Sequence, residues 1–485
     1  MKILMVSSEA VPYAKTDELA DATGMLPTTM KQLNHDVRVV MPKYKTIRFG
    51  NTKAHKIIDS YPVQLGNNAE YCSIYEGKRK DGVIFYWIEN NRFFGREGLY
   101  GDEKGNYRDN GLRFALFAQG AIDVIRRKIF TPDIIHIHDW QTSLIPIYLK
   151  NNFSEEKLSR IPVILTIHNI AYQGVIDKNL MPEVNLDISL FTRDTLELSG
   201  KCNLLKGGII FSDVLTTVSP TYASEILTPE FGMKLEGILN TQKGKLHGIL
   251  NGIDYEEWNP ERDSLIPYSY SKKKLAGKLL NRSNLTKKLH FDVDITKPLL
   301  GVISKLTEQK GMDLLAQILP DIADEDIHMV ILGEGDTLYE KLLKNLANKY
   351  PDKLRIFIGF DNELAHQIYA ASDMVLMPSR FEPCGLGQLI AFQYGTVPVV
   401  HGTGGLKDTV KKFSKETLKG NGFVFDAYRA SAFLNTVKKA LRNYRNGSVW
   451  KKLVNNCMAL DFSWETSAKK YIKLYEKLLR KQEQT

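Results

Sequence analysis

Two successive series of short, β-branched apolar runs constrain this chain more than any other feature. The first contains KILMVSS, HDVRVVMP, GVIFYWIE, PDIIHIHD, IPVILTIHN and DVLTTVSP. The second contains PLLGVIS (298–304), HMVILGEG (328–335), LRIFIGF (354–360), DMVLMPS (373–379) and TVPVVHG (396–402). The runs are apolar at nearly every position, as strands buried on both faces are, and helical patterns separate them. Strand and helix in alternation build a parallel sheet covered by helices on both sides. The predicted fold class is α/β, with two doubly wound parallel-sheet domains in tandem. A length of 485 residues exceeds what one hydrophobic core serves and agrees with two.

Between the series, the Lys-rich stretch YSYSKKKLAGKLLNRSNLTKKLHFDVDITKP has leucines at helical spacing and a proline before the next strand, so it is assigned to the start of the second domain. Near the end of the chain, Ala468, Ile472, Tyr475 and Leu479 fall on one stripe behind Ser463 as N-cap, which predicts a docked helix.

Composition excludes several function classes. The net charge of +9 comes from 65 basic residues diluted by 56 acidic ones, and no basic stripe interleaved with aromatics marks a nucleic-acid surface. Cys72, Cys202, Cys384 and Cys457 are far apart and form no CxxC pair, which argues against a disulfide framework or structural zinc and for a reducing compartment. No stretch reaches the ~18 continuous apolar residues of a membrane span, and no signal- or transit-peptide pattern is present. The expectation is a cytoplasmic protein with neither a nucleic-acid nor a membrane partner.

Open parallel sheets bind ligands outside the carboxyl ends of their strands. At those ends the chain places Lys15, HIHDWQTS (136–143), TIHNIAYQG (166–174), LNGID (250–254), ISKLTEQKG (303–311), PSRFEPCGLGQ (378–388) and GTGGL (402–406). Aromatic and carboxylate groups beside glycines suit a sugar, whereas lysines and the GTGGL amides suit a diphosphate. Glu382, between Phe381 and Pro383 at the mouth of a helix, stands out as a sugar-binding acid. Its plainer alternative is an acid favoured by a helix dipole. His136, His138 and His168 lack a Cys or acidic partner at metal-ligand spacing and read as strand-end histidines, and no metal is expected. The pair in DVD (292–294) lies in a charged connector and reads as a solvated linker, and GEG (333–335) is too short for a dinucleotide fingerprint.

Taken together, KILMVSSEAVPYAKT, HDWQTSLIP, TIHNIAYQG, TTVSPTYASEI, GILNGIDYEEWNP, LTEQKGMDLL, SRFEPCGLGQ and GTGGLKDTV resemble bacterial glycogen synthase and plant starch synthase, in order and across essentially the whole chain. The resemblance implies the GT-B fold: two Rossmann-like domains facing across a cleft, with a C-terminal helix crossing back to the first. The implied domains are 1–247, completed by 459–485, on the acceptor side and 248–458 on the donor side.

The implied reaction is transfer of glucose from ADP-glucose to the non-reducing-end 4-hydroxyl of an α-1,4-glucan, with retention of configuration and without metal or other cofactor. By position, Lys305 and Lys310 would hold the diphosphate with the amides of Thr403, Gly404 and Gly405. His168 and Asn251 would face the glucose, and Asp139 would line the same cleft. Glu382 and the backbone of Cys384, Gly385 and Leu386 would bind glucose hydroxyls, and Phe360 would stack on adenine. Glu382, His168, Lys305 and Lys310 are the expected catalytic residues; Lys15 and the others are expected to bind substrate.

Three positions depart from the family pattern. Where the family has Lys-Thr-Gly-Gly-Leu, this chain has Lys15-Thr16-Asp17-Glu18-Leu19, so two carboxylates replace glycines that a phosphate loop uses for close approach. Lys305 replaces an arginine and loses its bidentate fork, and Gly387 stands where threonine is usual. The expectation is an enzyme of reduced activity. Two alternatives are a weakened paralogue that binds glucan, and a related enzyme using UDP-glucose.

Overall fold

The computed structural model describes residues 1–154, 157–292, 294 and 296–483. They divide into two compact units: Met1–Asn251 together with the terminal segment from Trp464, and Gly252–Ser463. These boundaries fall at 251/252 and 463/464, where the sequence suggested 247/248 and 458/459.

The first unit is built on a nine-stranded sheet ordered Leu246–Gly248, Val214–Thr217, Val163–Ile167, Ile134–His138, Lys2–Val6, Asp36–Pro42, Ile84–Glu89, Asn68–Lys78, Ala54–Leu65. Its first seven strands are parallel; the last two add an antiparallel hairpin. Five strands, Lys2–Val6, Asp36–Pro42, Ile134–His138, Val163–Ile167 and Val214–Thr217, are almost wholly buried, so their apolar runs were visible in sequence. The hairpin was not, because Ala54–Leu65 is largely exposed and its apolar residues are interleaved with polar ones. The terminal helix Trp464–Glu483 completes this unit. Trp464, Ala468, Tyr471 and Tyr475 enter its core, and the Tyr475 hydroxyl lies 2.7 Å from His136 Nδ1.

The second unit has an all-parallel six-stranded sheet ordered Leu354–Ile358, His328–Gly333, Leu299–Ile303, Met374–Met377, Val397–His401, Phe423–Phe425. Counted along the unit, that order is 3-2-1-4-5-6, the Rossmann arrangement. The direction of winding reverses between Leu299–Ile303 and Met374–Met377. In the first unit it reverses between Lys2–Val6 and Ile134–His138. Loops leaving such a pair of strands generally diverge to opposite faces and open a crevice at the carboxyl edge of the sheet.

Candidate active site

In the second unit, the loops after the two switch-point strands bring two expected site residues into contact. The loop after Leu299–Ile303 carries Lys305, which is exposed, and Lys310. The loop after Met374–Met377 carries Glu382, 1% exposed. Lys310 Nζ donates to both carboxylate oxygens of Glu382, at 2.7 and 2.8 Å. The Ser379 hydroxyl donates to the same carboxylate at 2.8 Å, and His401 Nδ1 donates to the Ser379 carbonyl at 2.8 Å. A buried carboxylate is tolerable only with such partners.

The backbone behind this pair is packed tightly. A Cβ on Gly404, whose φ is +45°, would stand 1.9 Å from the Glu382 carbonyl oxygen, and one on Gly405 would stand 1.9 Å from that of Cys384. GTGGL is therefore glycine-rich because it lies directly against the Glu382 loop. The same contact bears on the expected amide cradle. Thr403 N–H donates to the His401 carbonyl at 2.9 Å within its own loop, and Gly405 N–H donates across to the Glu382 carbonyl at 3.0 Å, so two of the three amides already have acceptors in the chain. Cys384 is fully buried, and Gly385 takes a positive φ of 75° at the turn before the helix Gly387–Gln393. Gln388 Nε2 donates to the Cys384 and Gly385 carbonyls at 3.1 and 2.6 Å and fixes that turn. At Gly387 a Cβ would meet the Tyr369 hydroxyl at 3.1 Å, so the threonine that the family resemblance leads one to expect there would need that ring to yield slightly. Phe360 is 82% exposed just past the end of the strand Leu354–Ile358.

In the first unit, Asp139 follows the switch-point strand Ile134–His138 with φ +56°, a sparsely populated conformation for a side-chain-bearing residue. The bend lets its carboxylate accept the His168 backbone N–H at 2.7 Å. Burial pushes the Asp139 carboxyl up to about 8, opposed by the amides of His168 and Asn169 and assisted by the nearby Glu9 and Asp17 charges. The ring of His168 meets that of His138, Nε2 to Nδ1, at 3.0 Å. Burial lowers the His168 imidazole to about 3, with Asp17 pulling weakly the other way, and holds His138 well below its ordinary range. Both rings are neutral at physiological pH. His168 Nδ1 and Asn251 Nδ2 are buried polar atoms with no hydrogen-bond partner among the described residues.

The entry loop of the first unit differs from a phosphate cradle in how its donors are used. Glu9, just beyond the end of the strand Lys2–Val6 and 2% exposed, accepts from both the backbone N–H and the hydroxyl of Thr16, the latter at 2.7 Å, and from the Tyr100 hydroxyl at 2.5 Å. Burial raises the Glu9 carboxyl, against these donors. Asp17 caps the helix Glu18–Gln32 and accepts the Glu18 N–H at 2.9 Å. Lys15 turns its ammonium to Asp21 at 2.7 Å. The Lys15, Thr16 and Glu18 donors are thus all directed to carboxylates of the chain itself. Glu9 and Tyr100 were not singled out from sequence. The position of Glu9 just after the first strand was the available signal; that of Tyr100 required the tertiary structure.

The remaining sequence expectations concern metal and sulfur. Among the described residues, no group of three or more His, Cys, Asp or Glu is placed to hold a metal ion. Of the DVD stretch, Val293 lies outside the described residues; Asp292 accepts from Lys297 at 2.6 Å and pairs with His328, and Asp294 accepts from Thr296. All four cysteines are buried, and none is in a disulfide. No helix among the described residues is long and apolar enough to cross a membrane.

Comparison with known proteins agrees with this fold. Residues 2–241 match the starch synthase catalytic domain family and residues 286–456 the family of glycosyl transferases group 1. The glycogen synthases of Geotalea daltonii and Desulforamulus reducens are 46% and 43% identical to this chain, each alignment covering 99% of both proteins. The catalytic domain of starch synthase IV from Arabidopsis thaliana, solved bound to ADP and acarbose, superposes with a TM-score of 0.92 at 31% identity over 99% of each chain. Sucrose-phosphate synthase from Thermosynechococcus elongatus shares the fold alone, with a TM-score of 0.61 at 14% identity.

Two Rossmann-like units with their chemistry at the carboxyl edges are the architecture of a GT-B glycosyltransferase. Within that class, full-length similarity narrows the assignment. The chain belongs to the glycogen synthase and starch synthase family.

Proposed function

We propose that the protein transfers glucose from ADP-glucose to the non-reducing-end 4-hydroxyl of an α-1,4-glucan, with retention and without a metal. The observation that carries this reading is the Lys310–Glu382 pair at the switch point of the second unit, braced by Ser379 and abutted by Gly404 and Gly405. In this reading the diphosphate is met by the ammonium groups of Lys305 and Lys310, the latter held in place by Glu382. A cation preset where negative charge develops on the departing ADP lowers the barrier without rearranging at the moment of reaction. Glu382 positions that cation and, with the turn Cys384–Gly385–Leu386, binds glucose hydroxyls.

His168 and Asn251 fit the glucose-facing role because each holds an unpaired buried polar atom. Leaving such an atom unsatisfied costs roughly 1–3 kcal/mol, which a hydroxyl of the bound sugar would recover. Asp139 sets the His168 backbone, and Phe360 offers an exposed ring to the adenine. The Arabidopsis starch synthase structure holding ADP and acarbose supports the same ligand classes here.

Incubation with glycogen and either ADP-glucose or UDP-glucose tests the proposal. The expected result is nucleoside diphosphate release and chain lengthening with ADP-glucose, absent in Glu382→Ala. Turnover with UDP-glucose alone would overturn the donor assignment, and turnover equal to that of Glu382→Ala would overturn the reading as a whole.

A second reading is favoured by one specific observation: the Lys15, Thr16 and Glu18 donors already serve Asp21, Glu9 and Asp17. An entry loop so committed contributes little to a diphosphate, and the protein is then a weakened synthase that binds glucan. Glucan binding without transfer would support this second reading.

A further inference from the structure

The second unit has a cavity at the end of its sheet opposite to the one carrying Lys310 and Glu382. Asp373 and Thr296, which precede the strands Met374–Met377 and Leu299–Ile303, lie in its wall. Strands of four and five residues at about 3.3 Å per residue separate it from the carboxyl edge by roughly 15 Å. Its volume of about 840 Å³ lies within the range of small-molecule sites and is concave, unlike a macromolecular contact face.

The lining divides into an aromatic wall and a cationic rim. Tyr444 and Trp450 meet edge to face, their ring centroids 5.3 Å apart, and with Leu275, Leu279 and Val454 they give the cavity an apolar wall. Lys272, Lys273 and Lys451 stand exposed at the rim. The sole carboxylate of the lining, Asp373, is already neutralised: it accepts from Arg282 at 2.8 Å and from the Leu299 N–H at 2.9 Å. Arg445, also at the rim, is shared with Glu325 at 3.4 Å, and the buried Lys278 of the lining gives its ammonium to the Ala370 carbonyl and the Thr396 hydroxyl, so the three exposed lysines carry the charge at the rim. The helix Gly447–Cys457 begins at the same rim and adds the positive end of its dipole.

We infer that this cavity binds a small organic phosphate, its apolar ring against the wall of Tyr444, Trp450 and Leu279 and its anion among Lys272, Lys273 and Lys451. The site lies wholly within the second unit and is separate from the transferase chemistry. It gives the protein a place where a phosphorylated metabolite can bind without competing for the donor position.

Calorimetric titration of the full-length protein with phenyl phosphate and with inorganic phosphate tests the inference. Expected are saturable binding of phenyl phosphate, weaker binding of inorganic phosphate, and unchanged binding of phenyl phosphate to Lys310→Ala. Lys273→Glu with Lys451→Glu should weaken it roughly tenfold or more, since two attractive charges become repulsive. Both lysines are exposed, so the melting temperature should hold; Lys272→Ala with Lys451→Ala provides a milder second variant with the same direction of effect. The inference is overturned by an absence of saturable binding, by inorganic phosphate binding as tightly as phenyl phosphate, or by binding lost in Lys310→Ala and kept in the charge-reversed variant.

Discussion

Lys310 Nζ lies 2.7 and 2.8 Å from the two carboxylate oxygens of Glu382, a pair 72 residues apart in the chain and brought together by the two strands at which the sheet reverses direction. Glu382→Gln keeps the shape of the side chain and removes its charge, releasing Lys310 from its fixed orientation. Activity should fall by about 10²–10³, with secondary structure retained by circular dichroism. A residual rate within a few-fold of the parent would show that the pair does not organise the site.

Asn251→Ala removes a buried amide whose Nδ2 has no partner among the described residues. An unsatisfied group costs the folded state, so the melting temperature should stay level or rise. Transfer to glucan should nevertheless slow by about tenfold if the amide binds substrate, that being the loss of one hydrogen bond of roughly 1.4 kcal/mol. A parallel fall in stability and rate would instead indicate a structural role.

Phe360 is 82% exposed, so Phe360→Ala should leave stability within about 0.5 kcal/mol of the parent. If the ring stacks on adenine, KM for ADP-glucose should rise about three- to tenfold with kcat little changed, as expected for loss of a stacking contact of roughly 0.5–1.5 kcal/mol. An unchanged KM would remove Phe360 from the donor site.

Asp17→Gly with Glu18→Gly and Lys305→Arg should raise kcat/KM for ADP-glucose at least about fivefold, because two carboxylates near a diphosphate cost on the order of 1–4 kcal/mol each. The loss of the Asp17 cap should lower stability by a few tenths of a kcal/mol. A rate no higher than the parent's would show that the acidic loop is not what limits the enzyme.

The buried titrating groups of the first unit give stability a maximum in pH. His136 and His168 are lowered from 6.5 to about 3 by burial, and His138 is lowered strongly. The unfolded chain therefore binds more protons below pH 6.5, and the stability present above that value is lost as pH falls toward 3. Asp139 has the opposite sign: raised from 3.8 to about 8, it holds a proton the unfolded chain has released, so stability declines as pH rises through that interval. Melting temperature followed from about pH 4 to about pH 8.5 should peak near the middle. Asp139→Asn should match the parent at the acid end and melt higher at about pH 8.

Much of the fold was legible because burial on both faces of a central strand writes itself into consecutive apolar residues. Runs such as Ile134–His138 and Val397–His401 could be read directly. Phe423–Phe425, at three residues, and the hairpin of Ala54–Leu65 with Asn68–Lys78 left no such trace. Of the site, the lysines, Glu382 and the glycines could be named from their places after strands and from family resemblance. Which donors were already occupied could not.

The sequence by itself determined where strands end, which residues stand at those ends and which family they resemble, since these follow from local periodicity and motif order. Only the tertiary structure decided that Lys310 meets Glu382, that His138 meets His168 thirty positions away, that Lys15 turns to Asp21, and that Gly405 gives its amide to the Glu382 carbonyl of the neighbouring loop. The physical reason is that a hydrogen bond is chosen by ångström-scale geometry between segments remote in sequence. That geometry is set by strand order and packing, which periodicity does not encode.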